Sequence, residues 1–383
     1  MRKVLSLLFV IFISILIVGC DKKSNIDDFV FSGSNLIEYK GTSVNVEIPE
    51  SYEKDGTIIE VQSIKLGVFT NNSVIKSIVV PKGVTSLHQN MFSGCYSLEK
   101  VEFKGSIKYI PNYCFDKCYN LTFVNFSSGL KSIGSHAFNE CVSLEEFIAP
   151  MGVETLGEAA FKNCVSLKKV ELKSGVNSIA KGCFENCHAL KTIIFPKTEY
   201  TIGEAAFKNC TSLTEINLSN CTNINVYILR ALPNLSKLIV EDNEIYKTYD
   251  SVLYNEETKT LVFYPPKKKD KEYTVLDGTK AIGTSAFLNA VNLKSVNINA
   301  PIDVENKDHF KINDNAFEGC EKLNEVISNN SIFYVGYKAF KDCPNLKKVV
   351  VNDELFVPSN SKVFENSPNA MFYSQNSQWR PEN

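Results

Sequence analysis

Seven phenylalanines, Phe69, Phe92, Phe115, Phe138, Phe161, Phe184 and Phe207, stand 23 residues apart without a slip. A strict period of this length marks a stacked repeat, in which each short unit buries its apolar edge only against its neighbours. The spacing resumes at Phe287, Phe317, Phe340 and Phe364, so the pattern spans most of the 383 residues. Such a chain grows by repetition, and its length does not require several globular domains.

The best-kept unit runs Phe161, Cys164, Leu167, Val170, Leu172, Val176, Ile179 and then the next aromatic, Phe184. Between Leu167 and Leu172 the spacing tightens to alternation, Val170 in, Glu171 out, Leu172 in, which predicts a strand with one buried face. Successive units align these strands into a long parallel sheet. The segment around Ile179, with Gly or Ser before the next Phe, is the return path behind that sheet. The predicted fold is therefore a solenoid with a 23-residue period, a curved parallel β-sheet on one face and short strand and turn returns on the other.

The unit Phe-x-x-Cys-x-x-Leu, preceded by Ile-Gly/Ser-x-x-Ala, is seen at Ile133, Gly134, Phe138 and Cys141, at Ile202, Gly203, Phe207 and Cys210, and at Ile282, Gly283 and Phe287. It resembles the BspA-like leucine-rich repeats of bacterial surface proteins, over about residues 40–365. The resemblance implies a curved leucine-rich repeat array with a role in adhesion or protein binding. It implies no catalytic residues and no cofactor.

The amino terminus points to export. Arg2 and Lys3 precede an apolar run from Val4 to Val18, then Gly19, Cys20 and a polar stretch from Asp21. A positive start, an apolar middle and small residues before a cut describe a secretory signal, and the run is shorter than the roughly 20 residues a spanning helix needs. A Cys directly after Val-Gly looks like a bacterial lipobox, with Cys20 as the lipid attachment residue. The expected organisation is a lipoprotein signal peptide over 1–19, lipidated Cys20 and a short tether over 20–40, a solenoid over 41–365 with a hairpin insert at about 242–280, and a C-terminal cap and loose tail over 366–383. The expected location is extracytoplasmic, lipid-anchored to the cell membrane or an outer membrane.

With 44% hydrophobic residues the chain can build a core. Loss of Arg2 and Lys3 with the signal leaves 39 of the 41 basic residues against 43 acidic ones. A nucleic-acid partner would want a basic stripe, and none is present. Twelve cysteines in an exported chain invite a disulfide reading. Eight of them, Cys95, Cys118, Cys141, Cys164, Cys187, Cys210, Cys320 and Cys343, follow a repeat Phe by three, as a small buried residue filling one slot would. Bridges between stacked neighbours stay open on distance alone, since adjacent strands lie about 4.8 Å apart. Cys114/Cys118 and Cys183/Cys187 resemble metal pairs, yet Cys114 and Cys183 occupy the position taken by Ala137, Ala160, Ala206 and Ala286 elsewhere. His88, His136, His188 and His309 are scattered, so a structural zinc site lacks its ligand set.

There is no phosphate-cradling glycine loop, no His-Glu-x-x-His and no Gly-x-Ser-x-Gly elbow. The carboxylates fall mostly at exposed repeat positions. Enzyme chemistry is not expected, because a repeat face offers few convergent pockets.

Binding is expected on the outward side chains of the strands, which alternate with the buried anchors. Eight residues after each Phe they include Lys100, Phe123, Glu146, Lys169, Thr192 and Glu215; ten after, Glu102, Asn125, Ile148, Glu171, Ile194, Asn217 and Ile239. Phe123, Ile148, Ile194 and Ile239 are the suggestive members, because apolar anchors carry much of an interface's energy. The plainer account is strand propensity, which favours β-branched residues regardless. The array is interrupted after Leu229, which lacks the Phe, by two strand-like runs between Ser251 and Tyr264, followed by Pro265, Pro266 and the cluster Lys267, Lys268, Lys269 and Lys271. That cluster is a solvated loop or a contact for an acidic partner or lipid head groups. The expected function is binding or adhesion to a protein or other macromolecule on a host or neighbouring-cell surface. An envelope scaffold with an endogenous partner is the alternative, and a carbohydrate-binding module or enzyme a third.

Overall fold

The computed structural model describes residues 24–126, 128–241, 243–299, 310–329, 332–351, 361–374 and 377–380. The segment expected to be a signal, residues 1–19, and Cys20 lie outside the described residues. The chain winds as a parallel β-solenoid of about 12 turns with a period of about 23 residues.

Each regular turn contributes two strands. The front ladder pairs the same repeat positions in register, so that Val170 lies between Phe147 and Ile193. The return paths form a second parallel sheet of two-residue strands, Tyr109–Ile110, Ser132–Ile133, Thr155–Leu156, Ser178–Ile179 and Thr201–Ile202. Between the sheets the repeat phenylalanines stack. Ring centroids from Phe69 to Phe207 follow one another at 5.0–6.0 Å, and every ring in the column is buried.

The column cysteines bring a second donor to the repeat Phe carbonyls, which already accept from the Cys N–H three residues on in their own units, as at Phe92, Phe115 and Phe138. Each turn carries a bend at its Phe, and the Cys Sγ of the next unit donates to that Phe carbonyl: Cys118 to Phe92 at 3.1 Å, Cys141 to Phe115 at 3.2 Å, Cys164 to Phe138 at 3.1 Å. In the last unit Ser367 takes the slot and donates its Oγ to the Phe340 carbonyl at 2.6 Å. The slot thus wants a small buried donor, which Cys or Ser provides. The eleven described cysteines are buried free thiols. Cys114 and Cys183 sit as alanine does elsewhere, their carbonyls accepting from Phe92 and Phe161.

Two residues per turn, two before and two after the Phe, have left-handed backbone: His136 and Glu140, Ala159 and Asn163, Ala205 and Asn209. Asparagine tolerates this conformation better than most residues, and Asn209, Asn186, Asn163 and Asn139 bond successively through their side-chain amides at 2.7–3.3 Å. Glycine four residues before the Phe has a different cause. A Cβ at Gly157 would stand 2.6 Å from the backbone of Gly134 and Ser135 in the preceding turn.

The long front sheet expected from the repeat is broken. Phe123–Asn125 pairs with Lys100–Phe103 and not with Glu146–Ile148, and Thr192–Ile194 does not pair with Glu215–Asn217. The unit before each break carries a bulky half-buried ring eleven residues after its Phe, Phe126 and Phe195, where Leu172 or Leu218 is buried elsewhere. Phe126 stands edge-on to Phe138 and Phe147 at 6.0 and 5.9 Å, whereas Phe103, at the same repeat position, is buried beside a closed ladder.

The insert is smaller than its sequence range suggests. Tyr246–Tyr249, Val252–Asn255 and Thr260–Phe263 form an antiparallel meander, and after it the repeat resumes. Tyr264 stacks on Phe287 at 4.9 Å, and Tyr273 pairs with Val296 nine residues into its unit, the regular spacing. Lys268 is buried between Asp250 and Asp270, while Lys267, Lys269 and Lys271 are exposed.

Both ends are closed. Phe29–Ser32 and Asn35–Tyr39, within the range read as tether, form a hairpin that buries Phe29 and Leu36. Within the range read as loose tail, Met371–Tyr373 adds a further parallel strand that buries Phe372, and Gln378–Trp379 folds back on it.

Candidate functional site

Alternation along the front strands decides which side chains are presented. In Phe123–Asn125 and Glu146–Ile148 the outer two residues of each strand are exposed and the middle one is buried. Of the thirteen face residues, Lys100, Phe123, Asn125, Glu146, Ile148, Thr192, Ile194, Glu215 and Asn217 are exposed, and Glu102, Lys169, Glu171 and Ile239 are half-buried. The breaks divide them into three groups. Lys100, Glu102, Phe123 and Asn125 share one ladder, Glu146 to Ile194 a second, and Glu215, Asn217 and Ile239 a third.

The charges on this face neutralise one another across strands. Lys169 meets Glu146 at 2.6 Å and Glu171 at 3.7 Å, and Lys237 meets Glu215 at 2.6 Å. The Lys173 ammonium, hydrogen-bonded to Glu171, holds that carboxyl below its usual range. The Lys100 ammonium lies 3.9 Å from Glu102 and 5.7 Å from the Phe123 ring centroid. Exposed pairs of this kind contribute little to stability. Their effect is to leave a face without a dominant sign, from which Phe123, Ile148 and Ile194 project, each 44–47% exposed.

Two features lay beyond the sequence reading. An apolar cavity of about 650 Å³ opens at the first break, between Phe123 and Ile148, and reaches down to Phe126, Phe138, Leu144 and Phe147. Exposed tyrosines also stack along the solenoid edges, Tyr96 on Tyr119 at 5.2 Å and Tyr113 on the half-buried His136 at 4.9 Å. Each of these pairs occupies one repeat position in consecutive units, a signal present in the sequence. The cavity had none, since it depends on whether a ladder closes.

The thiols offer no reactive centre. Burial pushes Cys95 and Cys210 up to about 12 and Cys221 to about 11, and lifts Cys118, Cys141 and Cys187 well above the ordinary thiol value. Reactive cysteines are shifted the other way. Among the described residues no group of three or more His, Cys, Asp or Glu is arranged to hold a metal ion, and no helix is long and apolar enough to cross a membrane.

Comparison with solved structures gives the same architecture. A leucine rich cell surface protein from Faecalibacterium prausnitzii A2-165 superposes with a TM-score of 0.54 at 24% identity, over 92% of each chain. A leucine-rich repeat protein from Bacteroides ovatus ATCC 8483 gives 0.54 at 21% identity, over 91% of this chain and 89% of that one. No curated protein matches the sequence. The model of the BspA type leucine rich repeat region matches residues 24–166, 131–260 and 280–376, with six copies. The stacked phenylalanines, the thiol slot and the two-sheet turn are what that repeat builds here, and the chain belongs to the BspA type leucine rich repeat family.

Proposed function

We propose that this chain is a lipid-anchored surface protein that binds another protein, on a host or neighbouring cell, through the exposed face of its front sheet. The observation that carries the reading is the set of bulky apolar side chains, Phe123, Ile148 and Ile194, held outward at fixed repeat positions among self-paired charges. Aromatic and aliphatic anchors of this kind dominate interface energies, and a rigid backbone lowers the entropy lost on association. Anchoring at Cys20 is supported by the charged start, the apolar run and the residues before the cysteine, and acyl chains there would add about 0.8 kcal/mol of membrane affinity per buried methylene.

Replacing Phe123, Ile148 and Ile194 together by serine is expected to weaken binding to target cells about tenfold or more while leaving the circular dichroism unchanged. Equal binding by the triple variant would discard the face. Cys20→Ser is expected to abolish palmitate incorporation and release the protein from membranes. Protease treatment of whole cells separates surface display, which predicts cleavage, from an envelope scaffold, which predicts protection.

A further inference from the structure

We propose that the split between Phe123–Asn125 and Glu146–Ile148 is a recognition slot for an extended strand of the partner protein, one that carries a bulky apolar side chain. This deepens the binding-face reading and rests on it.

The split is a local opening in otherwise zipped turns. Lower in the same pair of units the Ser143 N–H donates to the Tyr119 carbonyl at 3.1 Å. At the equivalent rungs of neighbouring units, Thr122 donates to Glu99 at 3.0 Å, Lys168 to Glu145 at 2.7 Å and Lys191 to Lys168 at 3.0 Å. The rung from Glu145 to Thr122 is not formed, and the ladder above it is absent. Each wall of the slot is therefore a strand edge whose backbone donors and acceptors face a gap rather than a neighbour, the template that strand addition uses.

Beneath the gap lies the cavity of about 650 Å³. Its floor, Phe126, Phe138, Leu144 and Phe147, is apolar, and the volume is that of a ligand pocket rather than a packing defect. The second break in the sheet is filled differently. There Phe195 is covered face to face by Tyr200 at 5.0 Å and 7°, whereas among the described rings Phe126 meets only edges. Of these two breaks, the first combines unpaired strand edges with an uncovered apolar floor.

The mouth carries no free charge. Its two carboxylates, Glu145 and Glu146, are each held through Oε1 at 2.6 Å by Lys168 and Lys169 of the next unit. It adjoins a polar notch of about 530 Å³ formed by Thr122, Ser143, Glu145 and Ser166. An extended segment with an apolar residue directed into the cavity complements both the strand edges and the floor. A lipid or a free apolar molecule would use only the floor and leave the edges unpaired.

The test pans the full chain with a randomised heptapeptide library displayed on phage. Enriched peptides are expected to share an aromatic or branched aliphatic residue flanked by residues of high strand propensity. They are expected to lose at least tenfold in affinity, by fluorescence anisotropy, for F126L/F147V. That double variant installs the Leu and Val found at Leu172 and Val170, where the ladder is closed. On the unmodified chain, bound peptide is expected to slow amide exchange at 122–126 and 145–149. Failure to enrich such peptides, equal affinity for F126L/F147V, or protection elsewhere would overturn the slot. If the slot fails while the serine triple variant still loses its target cells, the face reading stands without it; if neither variant changes binding, both fall.

Discussion

At the scale of single residues, the repeat phenylalanine is the part most exposed to damage. Phe161 lies between Phe138 at 5.1 Å and Phe184 at 5.5 Å and touches Phe147 at 4.4 Å. Phe161→Ala removes contacts to two turns at once and is expected to cost about 3–5 kcal/mol, measured as a shift of the denaturation midpoint. An unchanged midpoint would remove Phe161 from the core. The cysteine beside it tells a second story. Its place in the repeat suggested a small buried residue filling a slot, and there it also donates to the Phe carbonyl of the preceding unit, as Ser367 does in the last turn. Iodoacetamide at pH 8 is therefore expected to leave the column thiols unmodified in the native chain and to label them once urea is added, as counted by mass spectrometry.

At the scale of the turn, the asparagine ladder links backbone shape to side-chain bonding. Asn186 has left-handed backbone, accepts from Asn209 at 2.8 Å and donates to Asn163 at 2.7 Å. Asn186→Leu is expected to cost about 2 kcal/mol, from the left-handed penalty and the lost bonds together. Asn186→Gly keeps the conformation and is expected to cost less, so chemical denaturation of the pair separates the two causes. The period made the turn legible, because one Phe per 23 residues and one alternating stretch per turn fix both sheets and their register. The left-handed sites were not legible, since Lys117 and Glu140 occupy the same position as the asparagines. Tyr264 was hidden by being tyrosine and by closing the insert, although it stands one 23-residue period before Phe287 and its ring fills the same place. The face residues could be named from alternation alone. Their division into three groups could not, because Phe103 and Phe126 stand at the same repeat position, yet the ladder closes after the first and opens after the second.

At the scale of the molecule, the buried thiols act together on pH stability. In the unfolded chain a thiol loses its proton near pH 8.5, while Cys95 and Cys210 hold theirs to about 12. Between these values the folded state binds more protons than the unfolded state, so stability is fully present below pH 8.5 and falls as pH rises toward 12. Urea midpoints are expected to be flat from pH 7 to 8 and to decline steadily from 9 to 11; a flat line to 11 would contradict the burial of the column.

The core of the solenoid divides at the insert, and the strand Val252–Asn255 is the party wall. Leu253 belongs to the block that starts at Phe29, and Val252 and Tyr254 to the block that runs to Phe372. Melting of either block would wet one side of a strand whose other side still holds the remaining block in place. The two halves are thereby latched: under heat or tension the chain yields as a coupled pair, not as a row of independent coils.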